Sequence, residues 1–275
     1  MDKIFFLLKV AVRVPLLCTN FITVIWHLQR KTSKSVYLLK TKSGEKYFIR
    51  PGFEDVMVLE EIYLDKEYTL DSTFTPRANE IVLDFGAYIG DFLVLASRLV
   101  GKNGRVIAFE PIPLIFEIAK KNIELNGLKN VDLMQTFVDS ESKEMIFRVN
   151  SLFAGASSSL SVQNNLSKNT QEIKVRSLSY KNFEQLIPSR NDIFCKIDIE
   201  GAEFNLLPLF SDKLWKQIRV IIIEYHLNDS KSVEELTKIL DNNNFKYEVV
   251  PHKSFLSIGM IYAKREDLNI IQKNP

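Results

Sequence analysis

The sequence is poor in the features that would mark several whole classes of protein. It holds only two cysteines in 275 residues, Cys18 and Cys195. They are too few and too far apart for a disulfide framework or a zinc site. Cys195 stands in the apolar run Ile193-Phe194-Cys195, where a thiol behaves as a small buried hydrophobe. A spanning helix needs roughly 20 mostly apolar residues, and charges near its centre are costly. The greasiest stretch, Ile4 to Leu28, is broken by Lys9, Arg13 and Pro15. It therefore does not read as a span, and without a small-residue cleavage site after it, it does not read as a signal peptide either. Net charge is also small, at +2. The lysines are scattered and accompany no recognised nucleic-acid motif, so no nucleic-acid partner is expected.

What is present begins with an asymmetry. Residues 1–50 hold ten Lys or Arg against only Asp2 and Glu45, while the remainder is mildly acidic. An apolar and basic front suits an interfacial helix held at a membrane surface, or a helix packed on the body or on a partner. Peripheral membrane contact through residues 1–30 is one of these readings, in a protein otherwise expected in the cytoplasm. From Ser35 the chain turns strand-like. Val36 to Lys40 and Lys46 to Arg50 flank the turn residues Lys42-Ser43-Gly44-Glu45, the pattern of a hairpin. Glu54 to Leu64 follows with helical spacing at Val56, Leu59, Ile62 and Tyr63,. The expected organisation is a helical segment over 1–34, a cap over 35–78 and a main domain over 79–275.

The main domain opens on Ile81 to Phe92, IVLDFGAYIGDF. An apolar run ends in Asp84, turns through Gly86 and Gly90, and enters an apolar helix: a buried strand, a glycine turn, then a helix. In open parallel sheets ligands bind beyond the carboxyl ends of the strands. Gly86 allows torsions or a close ligand approach that a side chain forbids, and Gly90 lets the helix pack near the strand. The run lacks the third glycine of the dinucleotide fingerprint, which brings backbone amides to a pyrophosphate. A nicotinamide-dependent oxidoreductase is thus disfavoured. S-adenosylmethionine has no pyrophosphate and carries an ammonium that suits an acidic strand end. Arg105 to Phe109 is the next strand, ending in Glu110, twenty residues after Gly90, the place of a ribose-binding acid.

Further along, Ile112 to Leu125 reads as a helix and Val131 to Val138 as a third strand. Asp139 and Ser140 follow that strand, either beside an adenine or in a plain turn before the strand Met145 to Val149,. Asn150 to Thr170 is small and polar and reads as a loop. In IFCKIDIEGAE, Lys196, Asp198 and Glu200 alternate, and strand periodicity puts all three on one face,. The plain alternative is a Lys196–Asp198 ion pair, with Glu200 and Glu203 favoured at a helix start by its dipole. Arg219 to His226 is another apolar strand, ending in Glu224, Tyr225 and His226. If the two strands are neighbours, Asp198, Glu200, Glu224 and His226 meet at the sheet edge, where they can deprotonate a hydroxyl with or without a divalent cation. A helix over Ser232 to Leu240 and a hairpin of Tyr247 to Val250 with Leu256 to Ala263 close the chain.

Taken together, LDFGAYIGDF, GRVIAFEPIP, ASSSL, CKIDIEGAE and IEYH resemble, in order, the motifs of the FkbM family of S-adenosylmethionine-dependent methyltransferases. The resemblance runs from about Tyr47 to His226. It implies an α/β fold of the class I (Rossmann-like) methyltransferase type: seven mostly parallel strands, helices on both faces and a terminal antiparallel hairpin. It also implies S-adenosylmethionine as cofactor, with Asp84, Gly86, Ala87, Tyr88 and Gly90 around its methionine part, Glu110 on its ribose, and Asp139 or Ser140 near its adenine. Asp198, Glu200, Glu224 and His226 match the family's acidic strand ends, with His226 or Asp198 as the base. Tyr88 stands where the family commonly has asparagine. The implied activity is O-methylation of a hydroxyl on a saccharide, glycolipid or other natural product. A catalytically silent relative would keep the cofactor residues and lose the acceptor site. No metal ligand is assigned.

Overall fold

Strand β3 (Ile81–Phe85) is buried at every residue, as its unbroken apolar run requires of a parallel strand covered on both faces. It lies between β4 (Arg105–Phe109) and β11 (Ile193–Ile197). In a computed structural model that describes residues 11–28, 36–52, 54–150, 153–159, 170–189, 192–228, 230–253 and 255–266, these strands form the middle of a seven-stranded sheet. The remaining members are β5 (Val131–Met134), β12 (Ile218–His226), β13 (Phe245–Pro251) and β14 (Ile258–Arg265). Their order is β13-β14-β12-β11-β3-β4-β5. All neighbours are parallel except β14, which runs antiparallel to both β12 and β13. This is the seven-stranded class I methyltransferase arrangement expected from the sequence. The chain builds β3, β4 and β5 outward on one side and later returns to place β11 and β12 on the other. The loops after β3 and β11 therefore diverge at a topological switch point, where open α/β sheets bind ligands.

Strand periodicity of two divides the sheet between two cores. Val82, Val106, Ala108, Phe194, Val220 and Ile222 share one core with Phe92 and Ala96 of α3 (Asp91–Val100) and Ile115 and Ala119 of α4 (Pro113–Leu125). Leu83, Ile107, Cys195 and Ile221 share the other with Phe183 of α5 (Tyr180–Leu186), Phe204 of α6 (Glu203–Leu206), Trp215 of α7 (Asp212–Gln217) and Leu236 of α8 (Val233–Asn242). Cys195 is fully buried, as its neighbours suggested. The cap joins the first core. Hairpin strands β1 (Tyr37–Lys40) and β2 (Lys46–Ile49) and helix α2 (Glu54–Glu60) place Leu39, Tyr47, Ile49, Val56 and Leu59 against the residues under α3. A π-helical turn over Glu61–Asp65 extends α2.

Three readings change. The strand expected over Val131 to Val138 ends at Met134; the backbone turns, and β6 (Val138–Asp139) pairs instead with β10 (Leu178–Ser179). The loop expected over Asn150 to Thr170 contains β8 (Phe153–Ser159), which pairs with β7 (Glu144–Asn150), itself paired with β9 (Thr170–Arg176). Backbone pairing to β7 overrides the small polar composition there; residues 151–152 and 160–169 lie outside the described residues. Finally, β11 stops at Ile197, so Asp198 and Glu200 leave from a turn and not from a strand face shared with Lys196.

At the front, residues 1–10 and 29–35 lie outside the described residues. Residues 11–17 are helical, and α1 (Phe21–Leu28) follows. Val14, Leu17, Cys18 and Val24 are buried on the body, and Arg13 binds Glu60 at 2.9 Å and Asp65 at 2.6 Å. Val12, Leu16, Ile22 and Trp26 remain exposed. Among the described residues no helix is long and apolar enough to cross a membrane.

The segment before β3 is tied to the sheet by one buried ion pair. Arg219 binds Glu80 and also donates to Thr73 O (2.7 Å) and Thr75 O (3.1 Å). Removing one partner of a buried pair strands the other charge, at a cost of about 3–5 kcal/mol. Arg219→Met is therefore expected to lower the unfolding free energy by that amount in urea denaturation, with Glu80→Gln/Arg219→Met recovering part of the loss.

Candidate active site

The floor of the site is built across the switch point. Lys196 and Asp84 are register partners on β11 and β3, and both are buried completely or nearly so. The Lys196 ammonium lies 3.2 Å from Asp84 Oδ1 and 3.6 Å from Asp198 Oδ2, and donates to Gly86 O at 2.8 Å. Burial alone would lower the Lys196 pKa, but Asp84, Asp198 and Asp91 outweigh it and raise it. The Lys196–Asp198 pair considered from sequence thus exists, with Asp84 as a third member. Asp84, expected beside the ligand, lies outside the cavity lining and serves as counter-ion to Lys196.

The glycine turn is shaped by the same contact. Gly86 has φ +87°, and a Cβ there would meet the Asp198 carbonyl oxygen at 1.8 Å. The space a side chain would need is filled by the β11 turn, not reserved for a ligand. Gly90 has φ +83°, while a Cβ would sit 3.6 Å from Ala119, an ordinary contact. The left-handed backbone, more than helix packing, demands glycine there.

Above this floor opens a cavity of about 370 Å³. Its lining includes Gly86, Tyr88, Asp91 and Glu110, and the apolar residues Phe109, Ile112, Phe137, Val138 and Phe147. Glu110 Oε2 accepts from Tyr88 N (3.0 Å) and Oε1 from Ile112 N (2.8 Å). Burial raises its pKa to about 8 despite those two bonds. Asp91, not singled out from sequence, is raised to about 7 by burial, against the pull of Lys196. Tyr88 has a left-handed φ of +46°, and its hydroxyl donates to Asp55 Oδ1 (2.7 Å) and accepts from Arg50. The departure from asparagine at this position ties the turn to the cap. Ala87 is buried outside the lining; Asp139 lines the cavity but binds Ser140 and Lys143, and Ser140 is exposed outside it.

The lining also includes Glu61, Asp198, Glu200 and Glu224. The Tyr68 hydroxyl is 3.2 Å from Asp198 Oδ2 and 3.1 Å from Glu224 Oε2, bridging the two carboxylates. Burial raises the pKa of Glu61 to about 9 and of Glu200 to about 7, and it raises Glu224 as well. Glu200 sits at φ +53°, a strained conformation for a side-chain-bearing residue, which directs it from the turn,. His226 stands behind this wall: Nδ1 is 3.2 Å from Glu203 Oε1, and Nε2 is 3.5 Å from Glu200 and 3.9 Å from Glu224. Burial would lower its pKa, but the hydrogen bond and charge of Glu203, with Glu200 and Asp198, raise it to about 10. The four residues expected at the sheet edge therefore do meet, and the surrounding acids favour the protonated imidazole of His226 in the ligand-free protein.

Charge gives the cavity its character. Its lining includes Glu54, Glu61, Asp91, Glu110, Asp139, Asp198, Glu200 and Glu224, and among the described residues it includes no Lys, Arg or His. Such a site favours cationic and hydroxyl-rich ligands and disfavours phosphates.

The family model described as Methyltransferase FkbM domain matches residues 84–247. Among curated proteins, Methyltransferase 1 of Beauveria bassiana is 26% identical over 209 residues, covering 69% of this chain and 80% of that protein. Methyltransferase sdnD of Sordaria araneosa is 22% identical over 252 residues, covering 80% and 94%. Among solved structures, M. jannaschii TYW2 in complex with AdoMet is similar at 15% identity and a TM-score of 0.46, over 85% of this chain and 88% of that one.

The raised carboxyl groups link stability to pH. A carboxyl whose folded pKa lies above its unfolded value stabilises the fold below the unfolded value, and that contribution is lost as pH rises through the folded one. For Asp91 the window runs from about 4 to about 7. The ligand-free protein is expected to lose stability across it, by at most about 1.4 kcal/mol per pH unit per group. Thermal unfolding of Asp91→Asn over the same range should show a shallower decline.

Proposed function

The chain belongs to the FkbM methyltransferase family, and on that premise we propose that its acid-lined cavity directs the methyl group of S-adenosylmethionine to a hydroxyl of a saccharide, glycolipid or other polyhydroxylated natural product. The coarser activity, S-adenosylmethionine-dependent methyl transfer, follows from the family. The observation that carries the finer reading is the lining itself, with eight carboxylates and no basic side chain among the described residues. It suits a sulfonium and an ammonium, and neutral hydroxyls that donate to carboxylates. It does not suit the pyrophosphate of a nicotinamide cofactor or a nucleic-acid backbone.

The residues fit the cofactor. Glu110, fixed by two backbone N–H groups, keeps lone pairs for ribose hydroxyls,. The apolar lining residues Phe109, Ile112, Phe137 and Phe147 suit a flat base. Asp91 and the Gly86 turn, both in the lining, would hold the methionine part. Bound S-adenosylmethionine supplies a methyl already activated on a sulfonium. The protein's task is then to align the acceptor oxygen and take its proton. Asp198 and Glu224, paired through Tyr68, are the proton acceptors in this reading. His226 is held as a cation by Glu203 and orients Glu200 and Glu224, so the base role falls to the carboxylates.

Calorimetric titration with S-adenosylhomocysteine tests the cofactor half. Wild type should bind in the micromolar range, and Glu110→Ala should weaken binding by about tenfold or more, ~1.4 kcal/mol. Methyl transfer from labelled cofactor to neutral glycans and glycolipids, with RNA alongside, tests the acceptor half. Transfer to RNA alone would contradict the acceptor half, a folded protein that binds no S-adenosylhomocysteine would contradict the cofactor half, and binding without transfer to any acceptor would mark a silent relative.

A further inference from the structure

We propose that Asp198, Glu200 and His226, joined by Glu224, form a divalent-cation site at the acceptor end of the cavity. The site's existence is argued from side-chain geometry; its purpose rests on the methyltransferase reading above. One ligand atom from each of Asp198, Glu200 and His226 can be chosen so that all lie within 4.8 Å of one another. Opposite ligands of one ion are separated by twice the ion–ligand distance, about 4.2 Å for Mg²⁺ and about 4.6–5.2 Å for Ca²⁺. The three ligand atoms therefore span an ion the size of Ca²⁺ as they stand, and side-chain rotation closes them on a smaller ion,.

The surroundings of His226 point the same way. Metal-binding imidazoles almost always give their second nitrogen to a carboxylate or carbonyl, which fixes the ring. Here that partner is Glu203, wholly buried, whose Oε1 accepts from Ile199 N (3.3 Å) and Gly201 N (3.0 Å) and contacts His226 Nδ1. Glu203 Oε2 is buried without a hydrogen-bond partner. Nε2 faces Glu200 and Glu224; the proton it holds among these acids in the ligand-free protein leaves to solvent when an ion binds, so that Nε2 offers its lone pair to the ion. The Glu224 carboxylate is itself oriented by Tyr68 through Oε2, with Oε1 on the His226 side. Lys196, on the floor, is bound to Asp84 and Gly86 O and also reaches Asp198 through Oδ2 at 3.6 Å. With three carboxylates to one imidazole the donor set is mainly oxygen, which suits Ca²⁺, Mn²⁺ or Mg²⁺.

Such an ion would hold an acceptor hydroxyl and a neighbouring oxygen, acidify the hydroxyl and set it before the methyl donor. The proton passes to Glu224, and the oxygen lone pair forms the O–CH₃ bond. The S–CH₃ pair stays on sulfur, and the ion is unchanged. Acceptors with two adjacent oxygens, such as vicinal diols, are then preferred.

The test uses full-length protein, treated with chelator and dialysed, and titrated with Mn²⁺ alone while free Mn²⁺ is followed by electron paramagnetic resonance. One ion per chain is expected, with a Kd near or below ~100 μM. Glu200→Gln and Glu203→Gln should each weaken it by about 10–100-fold, while Glu234→Gln/Glu235→Gln, two acids outside the cavity on α8, leaves it unchanged. Absence of any site tighter than about 1 mM in folded wild type overturns the proposal. Binding indifferent to Glu200→Gln and Glu203→Gln overturns it too. S-adenosylhomocysteine titrated into the same sample separates the two readings: its binding without Mn²⁺ binding removes the cation site and leaves the methyltransferase reading standing.

Discussion

The site depends on one buried ammonium. Lys196 reaches across the switch point to Asp84, caps the Gly86 carbonyl and faces Asp198. The β3 turn, the β11 turn and the acid at the acceptor end are thereby fixed to a single charge. Burying an ion pair costs several kcal/mol in desolvation, and such pairs often contribute little net stability. The value of this one is positional. With the Asp198 carbonyl packed where a Gly86 side chain would be, the two loops can occupy only one relative arrangement. The tyrosine ring of Tyr68 lies 5.1 Å from the same ammonium, and its hydroxyl joins Asp198 to Glu224. The cap is thus drawn into the site through the charge that organises the sheet.

Around that cation the cavity is a concentration of acids held out of water. Burial pushes Asp91, Glu110, Glu61 and Glu200 well above the usual carboxylate range. In the ligand-free protein this is stored electrostatic cost, and a cationic ligand relieves it. The same arrangement selects among acceptors, because carboxylates welcome hydroxyl donors and repel phosphate. His226 belongs to this balance as a cation among acids, held by Glu203.

Much of this was legible because backbone periodicity and turn chemistry are local. The apolar strands, the glycine turn and Glu110 at the end of β4 could be read from runs of a few residues, and the meeting of Asp198, Glu200, Glu224 and His226 followed only on the condition, met here, that β11 and β12 are neighbours. What could not be read depends on distant pairing. Tyr68 sits in a stretch without periodicity, 130 and 156 residues from the carboxylates it joins. Asp91 looks like an ordinary helix-start acid until the cavity is seen to open beside it. Asp84 sits where a ligand-binding acid belongs, yet its register partner Lys196 takes it inward. Strand β8 is composed of residues that suit a loop, and only its pairing with β7 makes it a strand. Glu203 reads as a dipole-stabilising acid, and Glu203 Oε1 does accept from the Ile199 and Gly201 N–H groups just before its helix. Its contact with His226 was invisible in sequence.

The central claim is that the cofactor lies across the switch point with its reactive sulfur toward Asp198 and Glu224. A crystal structure with S-adenosylhomocysteine tests it most directly. The account predicts ribose hydroxyls on Glu110, the adenine between Ile112 and Phe147, and the sulfur facing the Tyr68-bridged carboxylates. A ligand with its sulfur turned away from Asp198 and Glu224, or one bound outside this cavity, would contradict it.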